Sequence, residues 1–307
     1  MTLLFTDVEV ADRLDAPTAV SAMRAALVAA HSGRLIAPPR ASAPLAGGRL
    51  VMTAGHLPGE WYGFRSYDTF GHPRTDQLVV LHDARSGRIR AIALGEELGS
   101  RRTGALGGAA VGALARPETA RIGVIGAGRQ AWTQVWAAAA VRPLRSVTVF
   151  SRTPAARQAF ADRVRTELGL TARAVDRAAE AVRGQDVVVL ATTSPTPVLS
   201  AADLDPGTHV NAVGFKQRGR AEFGPDLLER ADVIATDSPE QAASYDPPMI
   251  TAGTRHAERL RHLGAVLAGD VPGRGAPDQI TLFCSVGLAG TEVFLLDRLA
   301  QPAALPV

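Results

Sequence analysis

The segment RIGVIGAGRQA, residues 121–131, decides the fold of this chain. An apolar run at 122–125 meets Gly126, Ala127 and Gly128, a helix-compatible run follows at 130–141, and a second β-branched run, SVTVFSRT, occupies 146–153. Strand, tight glycine turn, helix, strand is the order of a dinucleotide-binding βαβ unit. Gly126 permits the turn, Gly128 lets the backbone approach a pyrophosphate, and the helix N-terminus offers unpaired N–H groups to its charge. Arg129 and Gln130, at the junction of turn and helix, count among the expected cofactor contacts. The third small position is Ala131. Glycines also punctuate ordinary strand-to-helix turns, so the flanking strand and helix carry the reading.

Downstream, apolar runs recur at 187–190, 209–213, 233–235 and 280–287, with helical patterns between several of them. Alternation of this kind predicts a doubly wound parallel sheet. Thr192, Thr193 and Ser194 after one strand, and Val213 and Gly214 after the next, should lie at the carboxyl edge of that sheet beside a nicotinamide. Upstream the rhythm differs. Residues 16–31 have helical spacing with Pro17 in the first turn. Short strand candidates follow at 49–53, 61–67, 77–83 and 89–94, the last two joined by a hairpin at Ser86 and Gly87. They predict an antiparallel sheet, and 99–115 reads as a small-residue helix. The fold class is thus α/β, a Rossmann-type parallel sheet with a second, α+β domain. The expected boundaries are 1–114, 115–284 and a C-terminal helix within 285–307.

At 307 residues and 32.1 kDa the chain is long enough for two cores, and 46% hydrophobic with 21% charged residues is ordinary globular composition. The net charge of +3 comes from scattered arginines without interleaved aromatics, which argues against a nucleic-acid footprint. No secretory signal and no apolar run of membrane-spanning length is evident, and the lone Cys284 suits a reducing compartment, so the cytoplasm is expected. Of 33 lysines and arginines only Lys216 is lysine, which excludes a P-loop and restricts lysine chemistry to one residue. The seven histidines form no zinc motif, so no metal is expected; His56 and His72 flank the candidate substrate strands, where either could serve as an acid but reads first as a surface or loop residue, and Cys284 reads as an inert buried thiol.

PPR at 38–40, YGFR at 62–65, SRRTGA at 100–105, VIGAGRQA at 124–131, VNAVG at 210–214 and LFCSVG at 282–287 fall in one order along the chain. In that order they resemble the ornithine cyclodeaminase/mu-crystallin family. The resemblance implies a homodimer whose first segment and last helix form a substrate and dimerisation domain around a Rossmann domain. It also implies chemistry at the α-carbon of amino or imino acids with a nicotinamide cofactor. Arg40 and Arg102 match arginines that hold the substrate carboxylate in this family, a task suited to a bidentate, permanently charged guanidinium. Arg65 stands where the family usually has lysine. It can anchor a carboxylate, but acid or base duty at that catalytic position suits a guanidinium poorly.

Two departures bear on the reaction. Aligned on VNAVG, Lys216 occupies the position of a cyclodeaminase aspartate; aligned on Met52, Leu50 occupies that of a glutamate. Without those carboxylates, proton shuttling for cyclodeamination is hard to assign. Lys216 could instead protonate an imine as hydride arrives, bind a second carboxylate, or be a solvated residue of the loop KQRGR. The second Rossmann strand ends in Ser151, Arg152 and Thr153 with no carboxylate for a ribose 2′-OH. It resembles the N-R-T of the NADPH-using mu-crystallin branch, so NADP(H) is expected over NAD(H). The leading expectation is an NADPH-dependent reductase of a cyclic ketimine or α-imino acid, or the reverse amino acid dehydrogenase. The alternatives are an amino acid cyclodeaminase of ornithine or lysine type and a non-catalytic, crystallin-like NADPH-binding protein.

Overall fold

The computed structural model describes residues 1–71 and 76–301. The chain forms two compact units, residues 1–102 with the chain from Leu288 onward, and residues 103–287. The first unit contains β1 (Leu3–Phe5), α1 (Asp7–Arg13), α2 (Ala16–His31), β2 (Ala41–Leu45), β3 (Gly48–Leu57), β4 (Trp61–Asp68), β5 (Leu78–Asp83), β6 (Ile89–Leu94) and the start of α3 (Glu97–Leu114). The C-terminal helix Thr291–Ala300 also belongs to it.

Its sheet has the order β1-β6-β5-β4-β3-β2. The expected antiparallel strands are present, but β1 pairs with β6 in parallel, and neither β1 nor β2 was anticipated. β1 is only three residues long, and β2, ASAPL, is exposed throughout and carries Pro44, so neither offers an alternating apolar pattern. α1 starts where the Thr6 N–H donates to the Glu9 carboxylate at 2.8 Å, and α2 where Asp15 accepts from the Thr18 N–H at 2.7 Å. Ala19, Met23, Ala26 and Leu27 give α2 a fully buried face. The C-terminal helix packs against α2 and against β3 to β6. There Trp61, 1% exposed, meets the Phe294 ring edge-on at 5.9 Å.

The second unit comprises β7 (Arg121–Ile125), α4 (Arg129–Ala139), β8 (Ser146–Phe150), α5 (Pro154–Leu168), β9 (Thr171–Ala174), β10 (Val187–Leu190), β11 (His209–Ala212), β12 (Lys216–Gln217), β13 (Arg220–Ala221), α6 (Pro225–Arg230), β14 (Val233–Thr236), α7 (Pro239–Ala243), β15 (Leu260–His262), α8 (Leu263–Ala268) and β16 (Thr281–Cys284). Eight strands form one sheet in the order β15-β14-β16-β11-β10-β7-β8-β9, every neighbouring pair parallel. β10, VVVL, is buried along its whole length, as a strand covered on both faces must be. The last strand in sequence, β16, inserts between β11 and β14 in the sheet interior. The chain leaves β7 toward β8 and β9, then returns to place β10 on the other side of β7. That reversal makes the crevice at the carboxyl ends of β7 and β10 the topological switch point.

The unit boundary falls inside α3, after Arg102, and not at 114/115; the second falls after Gly287 and not at 284/285. The helix's small residues explain the first shift. A Cβ on Gly104 would lie 2.4 Å from the Thr133 carbonyl oxygen, and one on Gly107 would meet the Gln134 amide, so the later turns of α3 lie directly on α4. A buried polar chain fastens them. Gln134 donates to the Thr103 carbonyl at 3.1 Å, and Asn211 donates to the Gly107 carbonyl at 3.1 Å and to Gln134 Oε1 at 3.0 Å. His209 bridges Asn211 Oδ1 at 2.7 Å and Thr281 Oγ1 at 2.8 Å.

Burial lowers the His209 pKa from 6.5 to about 3. The unfolded chain therefore binds a proton below pH 6.5 that the folded one refuses, so this contribution is complete above 6.5 and is lost as pH falls toward about 3. Denaturant titration at pH 7 and pH 5 should give the wild type about 2 kcal/mol more loss than His209→Gln. Equal losses would show that His209 does not carry the acid sensitivity.

Candidate active site

The cofactor motif folds as its residues dictate. Gly126 has φ +115°, and a Cβ there would sit 2.2 Å from the Ala191 carbonyl oxygen, so only glycine closes this turn. Gly128 is the N-cap of α4, and a Cβ on it would meet nothing within 4 Å, leaving open space over the turn. That space, at the positive end of the helix dipole, fits a pyrophosphate. A cleft of about 290 Å³ gathers Gly126, Ala127 and Gly128 from the exit of β7, Ser151 and Arg152 from β8, and Thr192, Thr193 and Ser194 from β10. Of the other expected contacts, Arg129 and Gln130 form the first turn of α4, exposed Thr153 is the N-cap of α5, and Val213 and Gly214 follow β11; none of these lines the cleft. Sequence reading missed Arg157. From the first turn of α5 it donates to the Ser151 carbonyl at 3.2 Å and pairs with Asp176, placing a second guanidinium beside Arg152's segment.

Lys216 is not a solvated loop residue. It is 3% exposed on β12, and its Nζ donates to the carbonyls of Gly214 at 2.6 Å and Val213 at 3.3 Å. Two of its three N–H donors are thereby engaged. On the other side of the Val213–Gly214 peptide stands Glu222, fully buried, whose Oε1 accepts from the Gly214 N–H at 2.5 Å. Its Oε2 accepts from the Thr192 N–H and hydroxyl, each at 3.0 Å. Burial raises the Glu222 carboxyl against the opposing pull of the Thr192 N–H and of Lys216. RAEFG carries no motif that would single this glutamate out.

In the first unit Arg65 and Arg102 come together on one carboxylate that sequence reading also missed, Glu292 of the C-terminal helix. Arg65 Nη1 lies 2.5 Å from Glu292 Oε1, and Arg102 pairs with the same oxygen. Arg102 is 6% and Glu292 1% exposed, so Arg102 is no helix-surface charge. Arg65 also donates to Gln77 Oε1 at 3.1 and 2.5 Å and stands 4.1 Å over the Tyr67 ring. Held this way, Arg65 is a fixed donor. Burial would raise the Glu292 carboxyl, but Arg102 and then Arg65 outweigh it and hold the pKa at about 2. Glu292 Oε2 and Arg102 Nε are buried without hydrogen-bond partners among the described residues. Arg40 stands half-buried on the loop entering β2, and Leu50 on β3 supplies no carboxylate.

Burial pushes the Cys284 thiol up to about 12, which makes it unreactive. His56 is half-buried on β3, and His72 lies outside the described residues. Among the described residues no cluster of three or more His, Cys, Asp or Glu could hold a metal, and no helix is long and apolar enough to cross a membrane.

Residues 1–299 match the ornithine cyclodeaminase/mu-crystallin family. The chain belongs to that family. Among its relatives, a Delta(1)-pyrroline-2-carboxylate reductase of Bacillus cereus is 32% identical over 241 residues, spanning 76% of this chain and 73% of the relative. An iminosuccinate reductase of Paracoccus denitrificans is 34% identical over 250 residues, 80% of this chain and 75% of the relative. The Delta(1)-pyrroline-2-carboxylate reductase of Thermococcus litoralis, solved with NADH and L-proline, superposes with a TM-score of 0.89 at 26% identity, covering 97% of this chain and 96% of that one. This chain carries the glycine turn and a buried Arg102, with leucine at position 50 and lysine at position 216.

Proposed function

We propose that this family member is an NADPH-dependent oxidoreductase that reduces an α-imino acid, a cyclic ketimine above all, at its α-carbon, or runs the reverse amino acid oxidation. The observation that carries the reading is the absence of carboxylates at Leu50 and Lys216; the second unit has a glycine-turn cleft suited to a dinucleotide, and the first unit has two guanidiniums suited to a carboxylate. The activities of the relatives support it. NADPH, when bound, supplies the hydride. Gly126, Ala127, Gly128 and the first turn of α4 would hold its pyrophosphate, and Thr192, Thr193 and Ser194 the nicotinamide side. Arg152, with Arg157 behind Ser151, would take the 2′-phosphate and favour NADP(H) over NAD(H). Arg40, Arg65 and Arg102 would anchor the substrate carboxylate, and the remaining N–H of Lys216 is the candidate proton donor to the imine nitrogen.

A homodimer is part of the proposal. Met52, Ser66, Leu78 and Leu94 form one cross-strand row on the first unit's sheet, and Met52 and Leu94 are exposed at 45% and 42%, an apolar face suited to a second copy. With the single cysteine buried and unpaired, a cytoplasmic setting fits.

Mixing the protein with NADPH and a cyclic α-imino acid should oxidise NADPH in proportion to amino acid formed. Ammonia released from ornithine or lysine with no net cofactor change would replace this reading by the lyase. Tight NADPH binding with no turnover of imino, oxo or diamino acids would favour the non-catalytic alternative.

A further inference from the structure

We propose that Glu222 is a positioning residue for the nicotinamide end of the cleft, setting the two strand-exit turns through Thr192 and Gly214. The inference rests on reading that cleft as the dinucleotide site. Glu222 ties together segments far apart in sequence: its carboxylate holds Thr192 after β10 and Gly214 after β11. Its own N–H donates to the Phe215 carbonyl, and its carbonyl accepts from the Val198 N–H, both at 2.9 Å. The link runs on into the cleft wall. The Thr192 hydroxyl donates to Glu222 and accepts from the Ser194 N–H at 3.1 Å, so one buried carboxylate orients two cleft-lining residues in series.

The residue type follows from the donor count. Three donors converge on Glu222, and only a carboxylate accepts on both oxygens at once; a glutamine would turn its NH₂ toward either the Gly214 or the Thr192 N–H. No substitute exists at the other partner, because a Cβ on Gly214 would lie 2.4 Å from both Glu222 Oε2 and the Thr192 carbonyl oxygen. Lys216 completes the clamp. It binds the Val213 and Gly214 carbonyls while Glu222 binds the Gly214 N–H, fixing the Val213–Gly214 peptide from a cationic and an anionic side. Glu222 does not line the cleft and acts through Thr192, Ser194 and this peptide.

The test is Glu222→Gln in the full-length protein, with NADPH affinity, the fluorescence of the bound reduced nicotinamide, kcat, and the deuterium isotope effect from NADPH labelled at the transferable hydrogen. The pyrophosphate contacts are untouched, so Kd for NADPH should stay within about threefold. A misplaced nicotinamide should lower kcat by about 100-fold, raise the isotope effect, and change the emission of the bound nicotinamide. Thr192→Val, which removes only the hydroxyl link, should move the same observables less and stands in if the glutamine variant does not fold. Wild-type kcat, isotope effect and emission in either folded variant would overturn the proposal, as would a proportional loss of affinity and kcat with an unchanged isotope effect. Failure of the wild type to bind any nicotinamide cofactor would instead overturn the reading of the cleft, and the role of Glu222 with it.

Discussion

Arg102→Met should lower kcat/KM for an imino acid by about 100-fold or more and destabilise the fold by about 3–5 kcal/mol. Both effects come from one contact. Arg102 and Arg65 share Glu292 Oε1, and Glu292 is 1% exposed. Removing Arg102 leaves a buried carboxylate with half its compensation, which costs far more than the intact pair contributes. The loss of stability alone would not establish a role in substrate binding, so the informative variant is Arg102→Met combined with Glu292→Gln. Neutralising Glu292 as well removes the uncompensated carboxylate but leaves Arg65 with Gln77 and the Tyr67 ring alone, so part of the stability should return. Turnover should stay low, because a thioether cannot grip a carboxylate. Denaturant unfolding and kcat/KM measured on the same preparations separate the two. Activity that returns with stability would make Arg102 a structural residue only.

Arg152→Ala should weaken NADPH by about 10- to 100-fold while leaving NADH nearly unchanged, the worth of a charge-assisted contact to a phosphate that NADH lacks. Arg152 is exposed at the rim of the cleft and Arg157 is pinned behind it by Asp176 and the Ser151 carbonyl. The single variant should therefore reduce the preference without reversing it, and Arg157→Ala added to it should remove the remainder. Isothermal titration with both cofactors measures this directly. Equal losses for NADPH and NADH in the single variant would remove the argument for 2′-phosphate recognition.

The parallel sheet was legible because its strands are short apolar runs between helical patterns, and the glycine turn because φ +115° at Gly126 admits one residue type. The edge strands β1 and β2 were not, being too short or too exposed to leave a period in the sequence. The same division holds at the site. Gly126, Arg152 and Thr192 belong to local patterns and line one cleft. Glu292 and Glu222 belong to none: Glu292 reaches an arginine 190 residues away, and Glu222 a threonine 30 residues away. A buried counter-charge is selected by three-dimensional neighbours, so the sequence around it stays unremarkable. The burial of Lys216 was not legible for the same reason. Its loop is polar in sequence, yet the β12–β13 hairpin turns its ammonium inward onto two carbonyls.

The central claim is hydride delivery to an α-carbon with net oxidation of cofactor. The most direct measurement gives the protein a cyclic α-imino acid and NADPH deuterated at the transferable hydrogen, and locates the label in the amino acid formed by mass spectrometry and proton NMR. One deuterium at the α-carbon per NADPH oxidised, with no ammonia released, is the predicted result. An unlabelled product, or ammonia from a diamino acid with the cofactor pool unchanged, would contradict it.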